Sequence, residues 1–318
     1  MSAKRILITG AAGYLGLQLG HRLMDDFYLL GLDVRGNPTA RFPIEQMDIR
    51  SPNLQNFIAQ HRFSHVVHLA SVVAPSNDSV RDYDIDVNGT RNLLAACATQ
   101  GIKHITVTSS GAAYGYHADS PAQLRESDPL RGNTEFSYAY HKREVEALLT
   151  DYRLRTPQLA QLIFRPGTVL GQHTDNLITR LFTGSHLIAI AGSDSPFVFI
   201  WDQDVLAAIE QGIRLDSAGI YNLAGDGALS MAAIARRLGK PLISLPAWLV
   251  RTALAIGHSL GATRYDPSQV NFLRYRPVLD NRALKQDFGY TPQKTSAQVF
   301  DYFIAHHINL TQAKHREP

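Results

Sequence analysis

The sequence is short of cysteine, of net charge and of uninterrupted apolar runs, and each shortage narrows what the chain can be. Cys97 is the single cysteine in 318 residues, so no internal disulfide can form. Within "NLLAACA" it reads as a small buried side chain rather than a nucleophile, and a reducing compartment, the cytoplasm, is expected. Lys plus Arg number 31 against 28 Asp plus Glu, with no basic run, which argues against a nucleic-acid partner. The start, "MSAKRILITGAAG", passes from a short apolar strand straight into glycines, without the longer apolar segment of a secretory signal. The most apolar later stretch, residues 242–261, is interrupted by Pro246, Arg251 and His258, so stable membrane insertion is not expected. It reads as a buried or pocket-lining helix, with contact at a membrane surface as a weaker reading. Metal-ligand clusters are lacking too. His65 and His68 fall three apart on one strand and point to opposite faces, while His306, His307 and His315 stand near the end without cysteines or an acid cluster. No metal is expected, and those three histidines read as solvated. There is no internal repeat or low-complexity linker.

Hydrophobic residues make up 45% and charged residues 19%, which excludes a mainly disordered chain and suits one large domain or two closely joined ones. Short apolar runs at "RILIT", "YLLGLDV", "HVVHLAS", "HITVTSS" and "LAQLIF" read as strands. Helical spacing separates them in "YLGLQLGHRLM", "VNGTRNLLAACATQ" and "YAYHKREVEALLTDYRL". This βα alternation predicts an α/β fold, a doubly wound parallel sheet of Rossmann-like type. The expected division is a dinucleotide-binding domain over 1–165 and a smaller, interleaved substrate-binding region over 166–318. Segments near 198–224 are expected to return to the sheet domain.

Gly10, Gly13 and Gly16 form a GxxGxxG pattern between the first strand and the first helix, which opens at Tyr14 and Leu15. Glycine allows the tight turn and lets backbone amides at a helix N-terminus approach a pyrophosphate. The alternative is a plain βα turn; Asp33, 23 residues beyond Gly10, favours a dinucleotide. A carboxylate there accepts hydrogen bonds from ribose hydroxyls and repels a 2′-phosphate, so NAD is expected over NADP, although Arg35 offers a phosphate partner. In "SYAYHK", Tyr138 and Lys142 stand four apart and can share a helix face, whereas Tyr140 and Lys142 cannot. An ammonium beside a phenol favours the phenolate and suits it to proton transfer; an ordinary surface pair is the alternative.

With "TGAAGYLG", "LDV", "HLAS", "TSSGAAYG" and "YAYHK" in this order, the chain resembles the extended short-chain dehydrogenase/reductase superfamily, in its NAD-dependent epimerase/dehydratase branch. "ESDPL", "RPGTVLG", "FIWDQDV" and "YNLAG" look like further landmarks, so the resemblance covers nearly the whole chain. It implies Tyr138 as general acid/base, Lys142 as the group that lowers its pKa and contacts the nicotinamide ribose, Ser110 as the hydroxyl that holds the substrate oxygen, and Asn88 as the helix asparagine supporting the active-site backbone. Asp48 with Ile49 matches the adenine-side segment, and Leu69, Ala70 and Ser71 the segment under the cofactor. The same resemblance implies a homodimer in which the helices of Asn88 and Tyr138 pair with their symmetry mates.

The branch most often handles nucleotide-linked sugars. Thr168 stands where sugar-binding members usually place asparagine; Asn176, Arg274 and Arg276 are candidate replacements for the diphosphate-sugar contacts, with the arginines of "FLRYRPV" reading equally as surface or interface residues. The apolar 242–261 segment also suits a hydrophobic ketone or hydroxysteroid-like substrate, and a non-catalytic dinucleotide sensor is a third reading. Trp201 reads as a substrate-lining or core aromatic, and Asp204 as a helix cap.

Overall fold

The computed structural model describes residues 4–74, 76, 78–260 and 267–308. Eleven strands are present among them: β1 (Arg5–Thr9), β2 (Tyr28–Asp33), β3 (Ile44–Gln46), β4 (His65–His68), β5 (His104–Thr108), β6 (Ala160–Pro166), β7 (Thr168–Leu170), β8 (Leu187–Ile190), β9 (Phe199–Trp201), β10 (Gly219–Leu223) and β11 (Leu242–Leu245). Seven form one parallel sheet in the order β10-β6-β5-β4-β1-β2-β3. Their runs are apolar because both faces are covered by helices; Ile6, Leu7 and Ile8 have no exposed surface. The chain builds outward from β1 on one side and from β4 on the other, so the strand order reverses between them. In such sheets that reversal opens a crevice at the strands' C-terminal ends.

The chain divides into two compact units, one of the residues up to Ser110, His141–Arg165 and Val205–Tyr221, the other of Gly111–Tyr140, Pro166–Asp204 and the residues from Asn222 on. The division differs from the expected one at 111–140, which pack with the second unit because Tyr114, Leu124 and Leu279 share a core cluster. The first unit's core joins sheet residues such as Leu7, Val66 and Ile105 to helix residues Leu93, Leu94 and Leu149, with Cys97 fully buried among them. Burial pushes the Cys97 thiol up to about 12, so it stays protonated and inert.

The second unit is built on rings. Phe197 and Phe199, two apart and therefore on one face, stack at 5.5 Å, and Phe199 stacks on Phe300 at 5.3 Å. Trp201 packs edge-on against Tyr302 with Lys294 Nζ over its ring, so it serves packing. Asp204 is not a cap: fully buried in the first turn of the Asp202–Leu215 helix, it accepts hydrogen bonds from Tyr290 Oη and Gln293 N. Two short sheets, β7 with β9 and β8 with β11, complete this unit. Residues 242–260 depart from the expected burial, and Gly261 lies outside the described residues. They form β11 and the helix Ala247–Ser259, which has no buried residue, because only Ala247, Val250, Leu254 and Gly257 turn partly inward. No helix of the described residues is long and apolar enough to cross a membrane. His306 and His307 stack on Tyr302 and Phe303 instead of standing free in solvent, and His315 lies outside the described residues.

Candidate active site

At the crevice, Gly10 has φ +72°, and a Cβ there would meet Ala70 N at 2.6 Å and the Leu69 carbonyl carbon at 2.8 Å. A Cβ on Gly16 would sit 2.2 Å from the Gly10 carbonyl oxygen. The turn, the end of β4 and the helix Tyr14–Leu23 therefore close on one another only because both positions lack side chains. Gly13 caps that helix, its first turn carries no acid, and Tyr14 and Leu15 open it half-exposed, so the helix itself sets no like charge against an anion at its positive end. Asp33, half-buried at the end of β2, is fixed to the same turn by Ala12 N at 3.0 Å, while Arg35 stands exposed beyond it. Ser71 Oγ, beside Ala70, is buried with no hydrogen-bond partner among the described residues. An uncrowded helix start, a placed carboxylate and an orphaned hydroxyl at one sheet crevice fit a dinucleotide.

Ile49 is buried against Gly89, so only its backbone remains for contacts. Asp48 accepts three hydrogen bonds from Arg50, which hold its carboxyl below the usual carboxylate range. Arg50 continues to Asp84, and Asp84 accepts from Asn88 Nδ2 at 2.9 Å. Asn88 thus ends an ionic chain and also accepts from Arg91. The structure gives the inward position on this helix to Asp86, two residues earlier. Asp86 is 2% exposed; Oδ1 accepts from Val72 N at 2.7 Å, and Oδ2 lies 3.2 Å from His141 Nδ1. It ties the segment after Ser71 to the residue beside Lys142.

Tyr138 and Lys142 both lie on the helix Ser137–Arg155, one turn apart on one face. Lys142 is 6% exposed and donates to the Thr108 carbonyl at the end of β5; Ser110 follows two residues later. One turn further, Glu146 and Arg165 form a buried bidentate pair at 2.6 Å to 3.0 Å, and Ser109 Oγ donates to the same carboxylate. This network fixes the helix to β5 and β6 and was missed in the sequence, where an acid and an arginine 19 residues apart carry no sign of contact. Beneath the segment, His68 accepts from Thr9 Oγ1 and donates to Thr90 Oγ1, whose own proton goes to the Asp86 carbonyl. Burial, with Lys142 nearby, lowers His68 to about 3 and keeps it neutral.

In the second unit, Tyr138 packs with Tyr116, Phe136, Phe272 and Tyr275. Tyr116 is a second phenol that sequence reasoning missed; burial, reinforced by Tyr138, pushes its pKa up, so it remains a neutral donor. Arg276 lies over Phe197 at 3.8 Å and donates Nη1 to the Ser195 carbonyl at 2.8 Å. Its Nε is buried without a partner, no carboxylate reaches it among the described residues, and burial lowers it to about 10. Arg274 crosses the Tyr275 ring, its Nε likewise orphaned. Thr168 lies half-buried in β7. Asn176 spends its Oδ1 on a capping box, accepting from Ile178 N and Thr179 N.

A doubly wound parallel sheet with this glycine turn at its crevice is the fold of many dinucleotide-binding proteins. Residues 6–204 match the NAD dependent epimerase/dehydratase family, and the chain belongs to it. It is 25% identical over 277 residues to UDP-glucose 4-epimerase of Neisseria meningitidis serogroup B, covering 80% of each chain. It is 26% identical over 313 residues to an uncharacterized protein of Mycobacterium bovis, covering 95% of this chain and 83% of that one. The solved structure of MoeE5 in complex with UDP-glucuronic acid and NAD superposes with a TM-score of 0.75 at 22% identity, covering 98% of this chain and 99% of the other. NAD is the cofactor of the family.

Proposed function

We propose that this enzyme acts on a nucleotide-linked sugar, oxidising a ring hydroxyl to a ketone and returning hydride to the carbonyl carbon. NAD, when bound, supplies the hydride acceptor and donor. Tyr138 takes the hydroxyl proton as the carbon loses hydride, and gives it back as hydride returns. The Lys142 ammonium stabilises the phenolate between those events. The Ser110 hydroxyl donates to the substrate oxygen as charge develops there. Asp86, through Val72 and His141, positions both the segment after Ser71 and the Lys142 turn. Return of hydride to the opposite face gives the epimer. Asp33 and the turn Gly10–Gly16 hold the cofactor.

The observation that carries the reading is Lys142, buried and anchored at the C-terminal end of β5, one turn from Tyr138 and two residues in sequence from the anchor to Ser110. Arg276 supports the sugar nucleotide: a partly buried guanidinium with no acid partner among the described residues suits a diphosphate, with Thr168 and Asn176 as further substrate contacts. The alternative of an apolar ketone substrate rested on the apolar character of residues 242–261; the helix Ala247–Ser259 within them has no buried residue. The same reading carries a cytoplasmic homodimer through the helices Gly89–Thr99 and Ser137–Arg155; a monomer by light scattering at micromolar concentration would remove the dimer.

Mass spectrometry of small molecules released on denaturation is expected to find near-stoichiometric NAD or NADH, retained through an internal redox cycle. A panel of UDP-sugars should then identify an epimerised substrate, and Tyr138→Phe should slow its turnover about 10²- to 10⁴-fold with NAD binding unchanged. Unchanged turnover in that variant would remove Tyr138 from the chemistry; bound NAD with no redox turnover of any sugar nucleotide would support a sensor instead.

A further inference from the structure

The helix Ala247–Ser259 presents large apolar side chains to solvent: Trp248 is 68% exposed, Leu249 41%, Ile256 56%, and Leu260 at its cap 76%. At about 100° per residue these four fall within one outward arc of about 120°, with Arg251 and His258 together along one edge. Thr252 and Ser259, whose hydroxyls are turned back onto the helix carbonyls of Trp248 and Ala255, share this arc. Monomeric proteins scatter exposed apolar residues singly; four large ones on one side of a helix, rimmed by cations, make a surface meant to be covered. The strand leading into the helix also exposes apolar side chains: Ile243 of β11 is 41% exposed and pairs in register with Ile188 of β8, 46% exposed.

Charge says what covers it. From Gly227 to Tyr265 the sequence contains Arg236, Arg237, Lys240, Arg251 and Arg264 and no Asp or Glu. Arg237 is partly neutralised by Asp301, and Lys240 donates to the Phe182 carbonyl, but Arg236 and Arg251 have no acid within ion-pair distance among the described residues. A second copy of this chain would bring the same uncompensated cations against these. A lipid bilayer with anionic headgroups takes both features together: the tryptophan and aliphatic side chains enter the headgroup and acyl boundary, and the arginine stays at the phosphates. We propose that the Ala247–Ser259 helix is a peripheral membrane-docking element that lies in the surface of an anionic bilayer. At 13 residues it lies on the membrane and does not span it. The proposal is independent of the sugar-nucleotide reading, since none of these side chains belongs to the proposed catalytic or binding groups.

The test is flotation of the full chain with phosphatidylcholine vesicles, with and without phosphatidylglycerol. Wild type should float with the phosphatidylglycerol vesicles, bind phosphatidylcholine alone weakly, and release as sodium chloride rises and screens the headgroups. Trp248→Ser/Ile256→Ser should weaken binding about tenfold or more, and Arg251→Glu should weaken it chiefly at low salt. Both variants should bind NAD like wild type, which separates lost docking from lost folding. Absence of wild-type binding, or equal binding by the double variant, overturns the proposal. So does a wild-type dimer that the double variant converts to monomer, which would assign the stripe to a second copy. Vesicle binding seen only after removal of residues 309–318 would assign it to the chain's own tail, with the same consequence.

Discussion

Buried carboxylates in the first unit and one buried guanidinium in the second are held in opposite ways. In the first, Glu146 meets Arg165 and Ser109, and Asp86 meets His141 and the Val72 amide, so both of these buried carboxylates have counterparts inside the protein. In the second, Arg276 sits on rings with a carbonyl for company and no acid among the described residues. A satisfied charge holds elements in place, whereas a guanidinium kept half out of water without an anion stores an affinity for one.

Four changes break or sharpen this contrast. The largest effect is expected from Glu146→Gln, which takes the carboxylate charge away from buried Arg165 and should cost about 3–5 kcal/mol in denaturant unfolding. Glu146→Leu combined with Arg165→Met should recover most of that loss; failure to recover would mean that the pair does more than compensate itself. Arg276→Leu should do the reverse, leaving stability unchanged or raised while KM for the sugar nucleotide rises about 10- to 100-fold, the worth of about 1.5–3 kcal/mol of charged hydrogen bonding. Unfolding measured against pH comes next. Burial lowers His65, His68 and His104, all in the first unit, below their unfolded value of about 6.5. The unfolded chain then binds protons that the native one refuses, so stability is full above about pH 6.5 and falls as pH drops, for His68 by up to about 1.4 kcal/mol per pH unit down to its native value of about 3. His68→Gln should flatten that slope. The smallest effect is expected from Asp86→Asn, which keeps an acceptor for Val72 N and should cost under about 1 kcal/mol, whereas Asp86→Ala should also lower kcat by disturbing the segment after Ser71.

Much of the sheet was legible because its signals are local: a run of five or six apolar residues, a glycine turn, an acid at the next strand end. That Tyr138 and Lys142 share a helix face was legible for the same reason, since residues four apart align. Asn88 and Asp86 were not. They lie two apart, and a π-helix over Asp84–Asn88 changes the winding there, so Asn88 turns to Asp84 and the inward place falls to Asp86. Glu146 with Arg165 and Asp86 with His141 join residues 19 and 55 positions apart, contacts that only packing creates. Apolar content over 242–261 predicted burial because hydropathy reports the character of a surface and is silent on what lies against it.

The edge strand β10 has a consequence during synthesis. It pairs beside β6 in the sheet, yet leaves the ribosome 57 residues after β6 is complete. At about 5–20 residues per second, β6 emerges with its outer row of amides and carbonyls unpaired for roughly 3 to 11 s, until Gly219–Leu223 arrives. The insertion that separates the two strands in sequence therefore sets a waiting time during which the nascent sheet has an open margin, the period when a chaperone that shields strand edges would matter most to its yield.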